Sequence, residues 1–527
     1  MTGRSTEPGV DQRWRQPQME NFASTLDHQA ERRPDKVVLT CGDRTLTNAQ
    51  LHERVNALAQ SLRDLGVGRG DIVAILLYNC TEFLELVYAV NRLGAAFLPL
   101  NYRLAPAEWQ YILGHAEAKV VVADPEFTPA VTGIAAELPA LEHTVVVGEA
   151  EGWTSYEELV GRNTGARVPV VDVDGGELSR LMYTSGTTAR PKGVCISHRN
   201  VVWKNLGYLI QFGFTDTEVT AVTGPLYHVG AMDMGGVATL HAGGSLVIQR
   251  KFEPLGLIDL IARHRATSVW MAPAMVNGVL QQQDALAAAD LSSLRLIMSG
   301  GEKMPESRLA TVLDLFPGLW FADAYGLTET TSSDTFMPHD RMREKLGSVG
   351  RPLPHNQVRV ADDDGHSVPA GQVGEVLVRG PKVFSAYWRD QGATERSFVD
   401  GWFRTGDVGR MDEDGFLYIE DRKKDMIVSG GENIATPEVE RVLWEHPDVV
   451  EAAVIGHPDE RWGEVPHACV VLRDGATVTD EELRAFCQER LAKFKVPRYY
   501  TRVPTLPRNP SGKVLKKDLR TSVTAGG

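Results

Sequence analysis

Short apolar runs alternate with stretches of helical spacing through roughly the first four hundred positions. The run DIVAILLYN (71–79) has the length and continuity of a strand buried on both faces. TEFLELVYAVNRLG follows it, with apolar residues at helical spacing up to Gly94. KVVVAD, HTVVVGE and SLVIQR repeat the strand pattern. Buried runs separated by helices predict α/β layers on largely parallel sheets. Beyond Gly350 the texture changes. QVRVADDDGHSVPAGQVGEVLVRG and VGRMDEDGFLYIEDR read as strand pairs around Asp-Gly turns, which predicts a small β-rich section after the α/β body.

A last unit begins near Arg422. Thr436 and Pro437 are placed to serve as N-cap and first helical residue of TPEVERVLWEH. Thr479 and Glu482 form a capping-box pattern opening DEELRAFCQERLAKF, which Pro497 closes. From Arg484 to Arg520 eleven Lys/Arg stand against two Asp/Glu, a net +9. A solvated face and a surface that meets phosphates both fit that charge.

Composition narrows the class. A chain of 527 residues is too long for one core, so two or more domains are expected. With 55 basic and 69 acidic residues the net charge is −14, which argues against a nucleic-acid partner. The five cysteines (Cys41, Cys80, Cys195, Cys469, Cys487) show no paired spacing, so neither a disulfide framework nor a structural zinc site is expected, and a cytoplasmic location is. The first residues lack the apolar core of a signal peptide, and no run reaches the roughly 18 apolar residues of a transmembrane segment.

The candidate chemistry centres on YTSGTTARPKGV (183–194). Residues 178–183 read as a strand, so Thr184 to Lys192 is the loop leaving it. Backbone N–H groups freed by Gly186, hydroxyls of Thr184, Ser185, Thr187 and Thr188, and the Lys192 ammonium can converge on phosphate oxygens. It is not a P-loop, because Pro191 stands where that motif needs glycine. Read alone, a polar loop remains open. YGLTET (325–330) offers an aromatic face and, in Glu329, a hard oxygen ligand for a cation such as Mg²⁺; read alone, it is a helix start. RTGD (404–407) puts the Asp407 carboxylate in a tight turn, suited to two ribose hydroxyls or to an Asx-turn. DRKKDMIVSGGENI (421–434) carries Arg422, two lysines and a glycine pair, and PRNPSGKVLKK places Lys513 after a Pro/Gly-rich turn.

In this order and at these separations the five segments resemble the adenylate-forming superfamily of acyl-CoA synthetases, adenylation domains and luciferases, from about Thr25 to Arg520. The resemblance implies a large N-terminal domain (1–423) of two α/β subdomains plus a distorted β-barrel, then a small mobile α+β lid (424–527) hinged near Lys424. It implies activation of a carboxylic acid by ATP to an acyl-adenylate, then transfer to coenzyme A. Thr184 to Lys192 would hold the β- and γ-phosphates. Tyr325 and Gly326, with Gly301 and Glu302 of SGGEKMP, would line the adenine slot. Asp407 and Arg422 would bind ribose. Thr328 and Glu329 would position the α-phosphate and Mg²⁺, and Lys513 would bridge carboxylate and α-phosphate. Ser429, Gly430 and Gly431 would face the pantetheine arm, and the +9 patch the phosphates of coenzyme A. Two departures stand out: Ala189 and Arg190 replace a glycine and a variable residue, and ENIATPEVE lacks a common Tyr-Pro pair.

PLYHVGAMDMGG (225–236) matches the segment where the family builds its acyl pocket. His228 stands where amino-acid-activating relatives carry an aspartate, so a free amino acid is a poor candidate; His228 reads equally as gate, packing residue or proton carrier. Tyr227, His228, Trp270, Met271, Gly300, Ala324 and Ser333 give an apolar and aromatic lining, suited to a fatty or aryl acid. An acyl carrier protein thiol is the alternative acceptor, a non-catalytic nucleotide-binding module the alternative of another class, and a homodimer stays open.

Overall fold

The computed structural model describes residues 20–184, 191–302, 304, 306–422, 425–429, 432–459, 461–508 and 514–525. Two large mixed sheets form the body. In the nine-stranded sheet, Trp320–Leu327, Leu296–Gly300, Ser268–Met271, Val219–Val222, Ser245–Ile248 and Val37–Cys41 run parallel in that spatial order, with antiparallel strands at both edges. The eight-stranded sheet has a parallel core of Leu178–Thr184, Ala96–Pro99, Ile72–Leu76, Val120–Ala123, His143–Val146 and Thr154–Ser155. Its edge is completed by the antiparallel strands Lys192–Ser197 and Ala386–Tyr387.

The main core lies between these sheets. One cluster joins Ile75, Phe97 and Ile196 of the eight-stranded sheet to Leu39, Leu246 and Ile248 of the nine-stranded sheet. The helix Thr81–Arg92 lies in that core with every residue buried. Apolar residues dominate all its sides, as a helix flanked on both faces requires. Its charged residues are paired: Glu85 accepts from Arg54 Nε at 3.0 Å and from Tyr156 Oη at 2.8 Å, and Arg92 meets Asp27.

The β-rich section is an antiparallel sheet of Gln357–Ala361, Val373–Arg379, Trp402–Met411, Phe398–Val399 and Leu417–Arg422. Its Val360, Val376 and Leu417 pack against Tyr325, fixing this sheet to the end of the nine-stranded one. The C-terminal unit is a fourth sheet, Glu432–Ile434, Ile427–Ser429, Gly463–Leu472, Val449–Asp459 and Tyr499–Arg502, with the helices Thr436–Trp444, Asp480–Gln488 and Lys516–Ala525. Separate clusters pack on it, one containing Val439, Val442 and Leu483, the other Ile455, Cys469 and Leu519. The chain is thus an α/β protein with a large N-terminal domain and a small C-terminal one. Among the described residues, no helix is long and apolar enough to cross a membrane.

Three local expectations change. Thr436 is the first helical residue and Ala435 the N-cap, which supplies no side-chain cap. The acceptor comes from outside the unit: Asp421 Oδ2 takes the Thr436 N–H and its hydroxyl, both at 2.8 Å. The Thr479–Glu482 capping box forms, but the helix ends at Gln488, well short of Pro497. The chain leaves it in turns that bring Leu491 and Val496 to the core of the unit. RTGD sits inside the strand Trp402–Met411 at an irregularity where Gly406 takes φ +72°, a conformation glycine adopts without strain.

Candidate active site

Parallel α/β sheets place ligands at the carboxyl ends of their strands. Here Ser268–Met271, Leu296–Gly300 and Trp320–Leu327 end side by side. Gly300 pairs with Ala324, and a Cβ on Gly300 would stand 2.8 Å from the Ala324 carbonyl oxygen, so these backbones meet too closely for a side chain. Gly301 turns out of the strand at φ +97° with open space around it, and Glu302 follows. Gly326 lies against the returning strand, where a Cβ would be 2.2 Å from the Ser332 carbonyl oxygen. Tyr325 remains in the strand rather than starting a helix, and Thr328–Thr330 forms a single 3₁₀ turn.

At this edge Tyr325 Oη donates to Asp407 Oδ2 at 2.8 Å, and Arg422 Nε stands 3.4 Å from Asp407 Oδ1. Asp407 and Arg422 face each other in the antiparallel ladder of the small sheet. Burial, reinforced by the Asp407 charge, holds the Tyr325 hydroxyl well above the usual tyrosine range, so it stays a donor.

A second group lies beside the loop mouth. Thr184 and Lys192 are paired residues of the ladder that flanks the loop. Lys192 Nζ sits 4.9 Å from the centre of the Tyr387 ring, and Tyr387 Oη donates to Glu329 Oε1 at 2.9 Å. Thr328 occupies the same 3₁₀ turn as Glu329. A single carboxylate with neighbouring hydroxyls suits Mg²⁺, which keeps several waters and completes its shell with one or two carboxylates and phosphate oxygens.

The third group is aromatic. The His228 ring stacks on Trp270 with centroids 6.1 Å apart and planes at 29°. His228 Nδ1 accepts the Gly230 N–H at 3.0 Å, which leaves Nε2 as the protonated nitrogen of the neutral ring. Gly224 and Gly230 let the indole lie flat on the backbone, since a Cβ on either would come within 2.4 Å of a Trp270 ring carbon. Tyr227 is buried and meets Tyr102 edge-on at 5.1 Å. Ser333 is buried in the neighbouring strand, its hydroxyl 3.3 Å from Met234 Sδ.

Met271 does not join them. Side chains alternate along a strand, so Trp270 packs with Met298 on one face of the sheet while Met271 packs with Val269 and Ile297 on the other. Ser429 is buried in the C-terminal sheet, paired with Glu432 and Gly463. Ser185, Gly186, Thr187, Thr188, Lys424, Gly430, Gly431 and Lys513 lie outside the described residues. The segments on either side of Lys513 are described: Arg508 bridges to Val514, and its guanidinium is 3.7 Å from Glu302 and 2.9 Å from Glu451. The C-terminal unit therefore presents Arg508 to the Gly301–Glu302 edge.

Sequence reasoning missed two features. Tyr387 comes from a two-residue strand far along the chain, and only its pairing with Val194 brings it to Lys192. Behind the aromatic group lies a buried charge cluster, in which Asp233 meets Arg180 at 2.6 Å and Lys204 at 3.1 Å. Burial lowers the Lys204 pKa to about 8. A lone aspartate in the otherwise uncharged VGAMDMGG was the available signal.

Residues 26–388 match the AMP-binding enzyme family, and residues 438–513 match the AMP-binding enzyme C-terminal domain. The chain is 37% identical over 496 residues to the indoleacetate–CoA ligase of Aromatoleum aromaticum, covering 94% of this chain and 96% of the relative. It is 37% identical over 491 residues to a feruloyl-CoA synthase of an Amycolatopsis species, covering 92% and 96%. The crystal structure of the anthranilate CoA ligase AuaEII in complex with anthranoyl-AMP superposes with a TM-score of 0.89 at 28% identity, covering 96% of this chain and 98% of that one. With the first of the two family matches covering residues 26–388, well over half of its length, the chain belongs to the AMP-binding enzyme family.

Proposed function

We propose that the protein activates an aromatic carboxylic acid with ATP and passes the acyl group to coenzyme A. The observation that carries this reading is the Tyr325–Asp407–Arg422 group at the strand ends, set beside the Lys192–Tyr387–Glu329 group. One can grip a nucleoside and the other its polyphosphate. Similarity to indoleacetate and feruloyl ligases over nearly the whole chain supports an aryl acid. So does a flat wall made of Trp270, His228 and two glycines.

In the first step a carboxylate oxygen attacks the α-phosphorus and the bond to pyrophosphate breaks. Both reactants are anionic, so fixed cations must offset the repulsion as charge develops. Lys192, with Thr184 and the loop 185–188, holds the β- and γ-phosphates. Lys513 bridges the carboxylate and α-phosphate, with Thr328 alongside. Glu329 would hold Mg²⁺, which would supply charge neutralisation on the phosphates. Tyr325 with Gly326, Gly301 and Glu302 lines the adenine slot, and Asp407 and Arg422 take the ribose hydroxyls.

In the second step the coenzyme A sulfur attacks the acyl carbon, the carbon–oxygen bond to AMP breaks, and the thiol proton is lost. The C-terminal unit turns about Lys424 between the steps. Lys513 leaves, and Ser429 to Gly431 present backbone to the pantetheine arm. The test is pyrophosphate release across a panel of aryl, fatty and amino acids, followed by mass detection of acyl-CoA. An aryl acid should give both products with coenzyme A. Adenylate without coenzyme A transfer, or transfer to a carrier-protein thiol only, rejects the acceptor; no pyrophosphate from any acid leaves a nucleotide-binding module.

A further inference from the structure

We propose that Tyr387 is a positioning residue for this site: its hydroxyl orients the Glu329 carboxylate while its ring face carries the Lys192 ammonium. This rests on the reading of Glu329 as the cation's ligand. The contacts are the 2.9 Å hydrogen bond to Glu329 Oε1 and the 4.9 Å approach of Lys192 Nζ to the ring centre. An ammonium is drawn to the negative face of an aromatic ring, so one side chain serves both groups. Lys192 and Glu329 carry opposite charges on adjacent elements. Tyr387, standing between them, opposes their collapse into an ion pair that would withhold both from a nucleotide.

The tyrosine is rigidly mounted. Its strand pairs Tyr387 with Val194 and Ala386 with Cys195. Trp388 N donates to the Gly193 carbonyl at 2.7 Å, and Tyr387 N donates to Thr394 Oγ1 at 2.9 Å. Gly193 leaves room for this close approach: a Cβ there would stand 3.1 Å from both Trp388 Cβ and Tyr183 Cζ, a tight contact. Glu329 hangs on the same frame, its carbonyl accepting the Phe384 N–H at 2.7 Å. Backbone and side chain of Glu329 are thus both tied to segment 384–387.

The experiment compares Tyr387→Phe, Tyr387→Leu and Glu329→Gln in the full-length protein. Mn²⁺ binding in the presence of a non-hydrolysable ATP analogue is measured by electron paramagnetic resonance. Metal-free binding of the analogue is measured by calorimetry with EDTA present, and folding is checked by melting temperature. Tyr387→Phe keeps the ring and should raise the Mn²⁺ Kd about tenfold, within the span seen when a ligand's hydrogen-bond partner is lost, with metal-free binding unchanged. Tyr387→Leu should also weaken metal-free binding, because Lys192 loses its support. Glu329→Gln should raise the Mn²⁺ Kd at least as much as Tyr387→Phe. A normal Mn²⁺ Kd in Tyr387→Phe beside a raised one in Glu329→Gln overturns the inference and leaves the Glu329 reading standing. Normal values in both overturn the two together. Equal weakening of metal and metal-free binding in Tyr387→Phe reduces Tyr387 to scaffold and also overturns the inference.

Discussion

Asp421→Ala removes the acceptor that caps the first helix of the C-terminal unit from outside that unit. Asp421 Oδ2 accepts the Thr436 N–H and hydroxyl, both at 2.8 Å, while Lys516, paired with Glu440 at 2.8 Å, reaches the same hydroxyl. Thr436 is fully buried and Asp421 is 6% exposed, so water replaces neither bond without movement. Hydrogen bonds to a charged group contribute about 1.5–3 kcal/mol each; two that share one oxygen suggest roughly 3 kcal/mol in favour of this arrangement. At ~1.4 kcal/mol per tenfold, that is about a hundredfold in the equilibrium between lid poses. On the reading proposed above, in which the C-terminal unit turns about a hinge near Lys424, the turn would part Asp421 from Thr436, so the loss would fall on the pose that brings Arg508 to Glu302. Adenylation should slow by up to about a hundredfold, read as pyrophosphate release without coenzyme A. Thioester formation from synthetic acyl-adenylate should run at or above the parent rate. Asp421→Asn, which keeps an uncharged acceptor, should fall between. Equal slowing of both half-reactions in a folded variant, or undiminished adenylation, refutes the reasoning.

Gly230→Ala would set a methyl group 2.4 Å from a Trp270 ring carbon and force the indole to tilt, an overpacking cost of about 1–3 kcal/mol. The kcat/KM for the acid should fall about tenfold or more with the KM for ATP unchanged; an effect confined to ATP would move the acyl site elsewhere. Lys204 drops from the ordinary 10.5 to about 8 in the fold, so between those values the unfolded chain holds more protons and stability rises with pH. The depression corresponds to roughly 3 kcal/mol, present as a penalty below pH 8; denaturant melts of Lys204→Met and its parent should converge as pH rises to 10, and a pH-independent difference contradicts this. Lys513→Ala should cut adenylation by roughly a hundredfold or more while sparing thioester formation from pre-made adenylate, and equal loss of both would remove Lys513 from the first step.

Local pattern was enough for the strands Ile72–Leu76 and Val120–Ala123, because a run buried on both faces must be continuously apolar whatever packs on it. The capping box at Thr479 was legible for the same reason: both partners are three residues apart. Where an element borrows its partner from afar, pattern failed. Nothing near Thr436 announces that Asp421 will satisfy its N–H, and nothing near RTGD announces a bulged strand rather than a turn.

The same division holds for the site. Residue types and spacing by themselves offered candidates for phosphate, ribose and a hard cation, namely hydroxyls and a lysine around Gly186, a carboxylate at Glu329 and another at Asp407, and left a polar loop, a helix start and an Asx-turn open beside them. These are properties of short segments, so they survive in one dimension. Tertiary structure alone decided the distances between segments. It set Tyr325 on Asp407, slid Tyr387 between Lys192 and Glu329, and sent Met271 to the far face of the sheet that carries Trp270. Each outcome depends on register and on which sheet edge a strand joins. Register is set by burying apolar surface over the whole core, a sum to which no single motif contributes enough to be read alone.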